Sequence, residues 1–313
     1  MSFGARKMKN LYANYTKREK RGSNMKLYDL LGDLPPIDLP LSSKLLSTED
    51  KGVYLLEKLI LDLNGSEEVP AYFVKPKNIE KPPVVLFCHS HGGKYHLGKD
   101  ELLIGNSYMF APPYAEALTK AGYAALCIDS PIFGERSGRD ELTYYKETIW
   151  QGKVLWGLMV YDHLRAIDYL YTRDDIDVSR LASLGMSMGS TMSWWLAALD
   201  ERIKVCVDIC CMTDFHTLIE KDGLPGHGIF YYVPNLLKYF DTTSINAMIA
   251  PRPHLSVNGT KDPLTPEEGL IKVDEALKKI YKSDAWLMKN YPVAHDETAE
   301  MRRDVLAFLG EWL

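Results

Sequence analysis

Short continuous apolar segments recur along this chain and alternate with longer segments in which apolar residues have helical spacing. The apolar segments of strand length lie at 83–88, 123–128, 181–184, 203–209, 253–257 and 285–288. Continuous apolar runs of this length are typical of strands buried on both faces of a parallel sheet. Because helix-like segments separate them, the pattern predicts an α/β fold: a mostly parallel twisted sheet with helices on both faces.

Before the first of these strands, the hydrophobic pattern is different. Apolar and polar residues alternate over 54–64 and 69–75, which predicts two antiparallel strands joined by the Asn-Gly-Ser turn at 64–66. Helices are predicted over 113–121, 149–171, 191–199 and 297–313.

The same pattern suggests how the chain is divided. We expect a helical N-terminal extension over 1–50, followed by one α/β domain over 51–313. Residues 212–248 interrupt the alternation of strands and helices and are rich in glycine and aromatic residues. They predict a small cap-like insertion after the sixth strand.

The motif GMSMG at 185–189 lies between a predicted strand and a predicted helix. In a G-x-S-x-G motif at such a junction, the small residues allow a sharp turn that lifts the serine hydroxyl above the sheet. The motif alone also occurs by chance, and Ser187 could be an ordinary turn serine. The interpretation of Ser187 as a nucleophile therefore depends on whether the chain offers partners for it.

A serine nucleophile needs a histidine base and an acid that orients the histidine. Asp262 follows the predicted strand 253–257, and His295 lies on a loop before the last helix, so the order is Ser, Asp, His. Asp208 and Asp214 remain alternatives for the acid. His295 competes with five other histidines, which are His89, His91, His216, His227 and His254.

The strand at 83–88 ends in the loop HSHGG at 89–93, which is placed to donate a backbone N–H to an oxyanion. We expect His91 to be this donor, with Gly92 or Gly93 as the alternatives, and Met188 to supply the second N–H. No metal is expected, because no carboxylate or cysteine completes a first shell with His89, His91 and His96.

The aromatic run at 230–232 lies within the insertion that should adjoin the strand ends. Aromatic residues in such an insertion predict a pocket wall or lid. The candidate pocket residues are Met186, His227, Phe230 and Tyr231.

Together these motifs resemble the dienelactone-hydrolase-like and acetyl-xylan-esterase-like α/β-hydrolases. The resemblance rests on GMSMG at 185–189, HSHGG at 89–93, NGTKD at 258–262 and VAH at 293–295, and it covers residues 55–313 approximately. It implies an α/β-hydrolase fold and hydrolysis of an ester bond without a cofactor. The chain departs from the family in two ways: Ser187 stands where dienelactone hydrolases use cysteine, and Ser90 replaces the glycine usual after the first histidine.

The motifs and the resemblance predict a serine hydrolase that cleaves carboxylic esters through an acyl-enzyme. We expect small acyl groups such as acetyl, with a carbohydrate as one candidate alcohol. A serine peptidase or amidase on the same fold is one alternative, and a non-catalytic ligand-binding scaffold is another.

Composition limits the partners and the compartment. With 46% hydrophobic residues, 25% charged residues and a net charge of −5, the chain predicts a globular protein with no nucleic-acid partner. We find no apolar run long enough for a signal peptide or a membrane span. Three of the five cysteines, Cys88, Cys127 and Cys206, fall in apolar runs, which predicts buried free thiols and a cytoplasmic location.

The first 26 residues carry eight lysines and arginines. A tail that binds nucleic acid or membrane is one interpretation. We prefer a solvated helical extension in which Leu11, Tyr12 and Tyr15 form a small apolar face that contacts a second copy of the chain in a homo-oligomer.

Overall fold

A computed structural model describes residues 26–313. Its strands form one nine-stranded sheet with the order β1-β2-β3-β5-β4-β6-β7-β8-β9. The strands are β1 Ser42–Asp50, β2 Tyr54–Asp62, β3 Glu68–Pro76, β4 Pro83–Cys88, β5 Ala124–Ile128, β6 Asp177–Met186, β7 Val205–Ile209, β8 His254–Gly259 and β9 Trp286–Tyr291.

The first three strands and β5 pair antiparallel, and every pairing from β5 through β4 to β9 is parallel. The α-helices are α1 Glu101–Ile104, α2 Tyr114–Lys120, α3 Glu141–Trp150, α4 Leu155–Leu170, α5 Met188–Leu199, α6 Phe215–Glu220, α7 Leu236–Tyr239, α8 Thr242–Asn246, α9 Glu267–Tyr281 and α10 Ala299–Trp312.

Helices cover both faces of the sheet, and each covered face has its own hydrophobic cluster. Along β4, Leu86 belongs to one cluster and the adjacent Phe87 to the other, because successive strand residues face opposite sides. The first cluster is closed by helices α4, α5 and α9, and the second by α2 and α10. The predicted α/β-hydrolase fold, a mostly parallel sheet with helices on both faces, is therefore confirmed.

The predicted helical extension over 1–50 needs correction. Its first 25 residues lie outside the described part of the chain, whereas Ser42–Asp50 is strand β1 and pairs along its length with β2. Most β1 side chains are exposed, so backbone hydrogen bonds hold this strand and the hydrophobic pattern does not reveal it. With β1 counted, the insertion over 212–248 follows the seventh strand instead of the sixth.

The helix predicted over 149–171 corresponds to α4, Leu155–Leu170, and residues 149–150 are the end of a separate helix, α3. Between them Gly152 adopts a φ of 73°, a left-handed conformation that ends α3 and that glycine accepts without strain. Helix α3 was not predicted as a separate helix. It begins where the Asp140 side chain accepts a hydrogen bond from the Thr143 N–H and caps its first turn.

The five cysteines are all buried and form no disulfide, as predicted for the three in apolar runs. The insertion holds only short helices, namely α6, α7 and α8, with 3-10 segments at Leu224–Gly226 and Ile229–Tyr231. Within residues 26–313 no helix is both long enough and apolar enough to cross a membrane.

Candidate active site

Ser187 is the single residue between strand β6 and helix α5. Its φ of 57° and ψ of −120° lie in a region that residues other than glycine rarely occupy. The Ser187 N–H donates a 2.8 Å hydrogen bond to the Ile209 carbonyl at the end of β7, which holds the turn in place. Strained backbone that its surroundings enforce in this way is concentrated at functional sites.

Two glycines of the GMSMG motif allow this turn because strand β4 ends against them. A Cβ on Gly189 would overlap the carbonyl oxygen of Cys88, the last residue of β4. A Cβ on Gly185 would lie 2.6 Å from the same oxygen, closer than van der Waals contact allows. The spacing of the motif is therefore set by contact between the turn and the neighbouring strand.

His295 and Asp262 form a hydrogen-bonded pair beside this turn. His295 Nδ1 lies 2.6 Å from Asp262 Oδ2, and Asp262 Oδ1 accepts the Leu264 N–H at 2.9 Å. The Asp262 carboxylate is fully buried, whereas the His295 side chain is 19% exposed. Since a carboxylate only accepts, Nδ1 carries the proton and donates it, so Nε2 is the nitrogen that could take a proton from a serine.

The two alternative acids have other partners. Asp208 accepts a hydrogen bond from His254 at 2.7 Å inside the sheet. Asp214 caps helix α6 by accepting from the Thr217 N–H. Neither contacts His295, so the structure brings His295 together with Asp262.

Ser187 and His295 line one cavity of about 230 Å³. Six of the other predicted site residues also line it: His91, Gly92, Met188, His227, Phe230 and Tyr231. The insertion thus forms part of the cavity wall, as its aromatic content predicted.

Met186 is the predicted pocket residue that the structure places elsewhere. Its side chain is fully buried in the hydrophobic cluster on the α2 and α10 face, with Val207 and Ile209. It precedes Ser187 on a strand, where adjacent side chains face opposite sides. The prediction that Met186 lines the pocket was therefore wrong.

Five residues that line the cavity were not predicted as site residues, namely Thr191, Cys211, Gly226, Gly228 and Leu264. Thr191 lies four residues after Ser187, one helical turn along α5, where it shares a face with the serine. Cys211 follows the carboxyl end of β7, the edge at which parallel sheets hold their ligands. Both positions could have been found from the sequence by these spacings.

The HSHGG loop reaches the same cavity through His91 and Gly92. Burial, and then the nearby His89 and His295, lower the pKa of His91 to about 4, so this ring is neutral at neutral pH. His91 Nδ1 accepts the Gly93 N–H at 3.0 Å, which folds the loop on itself. Gly92 has a φ of 50°, and a Cβ there would collide with the Tyr108 ring.

Ser90 fixes this loop to a buried carboxylate. Its N–H donates to Glu101 Oε1 at 2.7 Å, its hydroxyl bonds to the other Glu101 oxygen, and Tyr108 OH lies 2.5 Å from that hydroxyl. Burial raises the pKa of Glu101. The Tyr108 ring also packs 5.6 Å from the His295 ring, so the network connects the loop with the histidine. No local sequence pattern indicated Glu101 or Tyr108.

His227, which also lines the cavity, connects the insertion with the turn that carries Asp262. His227 Nε2 donates to the Leu264 carbonyl at 3.0 Å, two residues after Asp262. Its ring stacks on Tyr231 with the ring centres 5.4 Å apart. Burial lowers the pKa of His227. The insertion and the acid turn therefore pack as one unit beside the cavity.

A family model described as the alpha/beta hydrolase fold matches residues 83–246. The Bacillus subtilis (strain 168) protein named "Putative hydrolase YtaP" is 47% identical over 292 residues, which cover 92% of this chain and 97% of that protein.

Solved structures of similar fold include a glucuronoyl esterase from Solibacter usitatus and an acetyl xylan esterase from Paenibacillus sp. R4. The match to the first has a TM-score of 0.66 at 15% identity and covers 90% of this chain and 88% of the esterase chain. The match to the second has a TM-score of 0.62 at 15% identity and covers 100% of this chain and 95% of the esterase chain. At these identities the similarity is one of fold.

Proposed function

Since this chain belongs to the α/β-hydrolase family, we propose that it hydrolyses carboxylic esters through an acyl-enzyme on Ser187. The observation that carries this proposal is the shared cavity of Ser187 and His295, with Asp262 bonded to His295 Nδ1. A strained serine, a histidine with one ring nitrogen engaged by a buried carboxylate, and an adjoining helix N-terminus are the parts that nucleophilic acyl transfer needs.

In the proposed reaction, His295 Nε2 takes the proton of the Ser187 hydroxyl while the serine oxygen attacks the ester carbonyl carbon. The carbonyl π electrons move to the oxygen, and this oxyanion accepts hydrogen bonds from the Met188 N–H and from the HSHGG loop, where His91 is our first candidate and Gly92 the second. The tetrahedral intermediate then collapses, and His295 returns its proton to the departing alcohol. Asp262 stays ionised and stabilises the protonated histidine.

The second half of the cycle repeats these steps with water. His295 removes a proton from a water molecule that attacks the acyl-serine carbonyl, and the second tetrahedral intermediate expels the serine oxygen, which regains a proton from His295. Since every proton passes through His295 and the negative charge that develops lies on an oxyanion held by backbone N–H groups, the proposed chemistry requires no cofactor.

The size of the cavity favours small acyl groups. Its volume of about 230 Å³ is below the usual range for sites that hold drug-sized ligands, roughly 300–1,000 Å³. Phe230 and Tyr231 close it on the side of the insertion. We therefore propose acetyl esters as the first substrates. Acetylated carbohydrates are the first natural class to test, in keeping with the names of the solved esterases of similar fold.

An activity-based probe tests the nucleophile directly. A fluorophosphonate should label the wild-type protein once and should leave Ser187→Ala unlabelled. Ser193→Ala, which alters a buried serine on the same helix, is the matched control and should be labelled like the wild type. Labelling that persists in Ser187→Ala would show that another residue is the nucleophile.

The reaction class needs a substrate panel. We expect turnover of p-nitrophenyl acetate and of acetylated sugars, with no turnover of peptidyl amides. Turnover of amides at rates comparable to esters would favour a peptidase or amidase. If neither class is turned over by protein that folds normally, the scaffold would be a non-catalytic binder.

A further inference from the structure

A second cavity lies beside the catalytic one, and Tyr231 lines both. The second cavity has a volume of about 300 Å³ and is lined mainly by apolar side chains of helices α5 and α6 and of segment 224–238. Trp195, Phe215, Leu218 and Tyr232 are among them, and none of these four lines the catalytic cavity. Tyr231 is the residue common to both linings.

The packing of Tyr231 places it between groups that belong to each cavity. On the catalytic side its ring stacks on His227, with ring centres 5.4 Å apart. On the apolar side Phe215 meets it edge to face at 5.7 Å. Trp156 packs against it at 6.1 Å from the core. These contacts hold the ring in one position, so it acts as a fixed wall.

The Tyr231 hydroxyl is also unusual. It is buried and finds no hydrogen-bond partner anywhere in residues 26–313. A buried hydroxyl without a partner is unfavourable, and tyrosines in protein interiors usually satisfy theirs. Phenylalanine would pack in the same place without this cost, so packing against the aromatic neighbours does not by itself account for a tyrosine here.

We propose that Tyr231 determines specificity by limiting how long an apolar group the catalytic cavity accepts. The ring separates the catalytic cavity from an apolar cavity that is large enough to hold a hydrocarbon chain. Removing the ring would join the two cavities and more than double the space next to Ser187. The inference rests on the proposed esterase function. It applies to an apolar group on either side of the ester, acyl or alcohol.

The test compares kcat/KM along two series, p-nitrophenyl esters from acetate to octanoate and alkyl acetates from ethyl to octyl. In Tyr231→Ala we expect the ratio of the longest to the shortest member to rise about tenfold or more in one series, since each buried methylene contributes on the order of tenfold. A rise in the acyl series would assign the apolar cavity to the acyl chain, and a rise in the alkyl series would assign it to the alcohol.

Three further variants make the result specific. Tyr231→Phe keeps the ring and should keep the wild-type ratio. Tyr232→Ala enlarges the apolar cavity without removing the wall and should also keep the ratio. Leu224→Phe in the Tyr231→Ala background should fill the opened space and restore the preference for short chains, because Leu224 lines the apolar cavity and is partly exposed.

If Tyr231→Ala does not fold, Tyr231→Leu replaces it, since leucine retains apolar bulk and still shortens the wall. An unchanged ratio in both series, in a variant that folds and is labelled by fluorophosphonate at the wild-type rate, would overturn the role of Tyr231. Failure of the esterase proposal would look different: the wild-type protein itself would neither be labelled nor turn over any ester.

Discussion

Two Asp–His pairs with nearly the same geometry lie at different depths in this molecule. His295 is 2.6 Å from Asp262 at the edge of the sheet, where the histidine lines the cavity of Ser187. His254 is 2.7 Å from Asp208 between strands β8 and β7, where both side chains have 0% exposure. The histidine of the first pair lines the same cavity as Ser187, the proposed nucleophile, whereas that of the second is enclosed within the sheet.

The buried pair belongs to a polar cluster inside the sheet. Asp208 also accepts hydrogen bonds from Ser256 at 2.9 Å and from Ser190 at 3.3 Å. Burial lowers the pKa of His254, but Cys206 and Asp208 outweigh burial and raise it to about 9. A proton on His254 at neutral pH would make this an ion pair between β8 and β7, and Ser190 connects the pair to the first turn of α5.

The difference shows that the hydrogen bond between aspartate and histidine does not identify a catalytic pair. A general base must release and regain its proton within reach of a nucleophile. The role proposed for His295 fits this condition because the side chain is 19% exposed and lines the cavity of Ser187, whereas His254 is fully buried. The two pairs can be separated experimentally, because one should control rate and the other stability.

The largest effect should come from Asp262→Asn. Loss of the orienting carboxylate costs on the order of 10⁴ in kcat for a Ser-His-Asp triad, because the histidine loses its tautomer and the stabilisation of its charge. The variant should fold, since asparagine retains Oδ1 for the Leu264 N–H. Steady-state kinetics with p-nitrophenyl acetate measure kcat, and circular dichroism checks that the variant folds. A kcat within tenfold of the wild type would remove Asp262 from the proposed triad.

Asp208→Asn should produce the opposite result. Breaking a buried ion pair by removing one partner costs about 3–5 kcal/mol of stability, because the remaining charge stays buried. We expect the free energy of unfolding from urea titration to fall by this amount, with kcat of the folded fraction close to that of the wild type. A stable but inactive Asp208→Asn would mean that Asp208, the alternative predicted from the sequence, is the acid.

The contrast between the pairs also shows what the sequence can predict. The order Ser187, Asp262, His295 and the strand before each of them could be deduced from apolar runs, because strands of a parallel sheet are buried and continuous. The same information did not exclude Asp208, which lies near the end of an apolar strand. Only the paired register of β7 with β8, which sets Asp208 against Ser256, shows that it is enclosed.

Other features depend on contacts between distant parts of the chain. Strand β1 is held by backbone pairing and carries mostly exposed side chains, so it has no hydrophobic signature. Glu101 and Tyr108 support Ser90 across 11 and 18 positions of sequence without a motif. The wrong assignment of Met186 to the pocket could have been avoided, because adjacent residues of a strand face opposite sides of the sheet.

The third prediction concerns pH and sharpens the assignment of charge in the buried pair. His254 has a folded-state pKa of about 9, above its ordinary value of 6.5, so the folded protein binds a proton that the unfolded chain releases. This contribution to stability is fully present below pH 6.5 and is lost as pH rises through 9. We expect the free energy of unfolding to decrease over this window by at most about 1.4 kcal/mol per pH unit from this group.

His254→Asn is the control for other groups that titrate at alkaline pH. The variant should be less stable than the wild type at pH 6.5, and the difference between the two should shrink towards pH 9.5. Urea titrations at four pH values measure it. A difference that is constant across the window would mean that His254 is neutral in the folded protein, and the buried pair would then be a neutral hydrogen bond.

The smallest effect is expected at Ser190, which connects the buried pair with helix α5. Its hydroxyl donates to Asp208 Oδ1 at 3.3 Å, a long hydrogen bond, and Ser190 lies three residues after Ser187 on α5. Ser190→Ala should lower the free energy of unfolding by about 1 kcal/mol, the usual contribution of one hydrogen bond. Asp208 retains its hydrogen bonds to His254 and Ser256, and the turn at Ser187 is held by its backbone hydrogen bond to Ile209. We therefore expect kcat to change little. A large loss of kcat with unchanged stability would mean that the buried pair supports catalysis through the position of helix α5, and the two pairs would then act as one system.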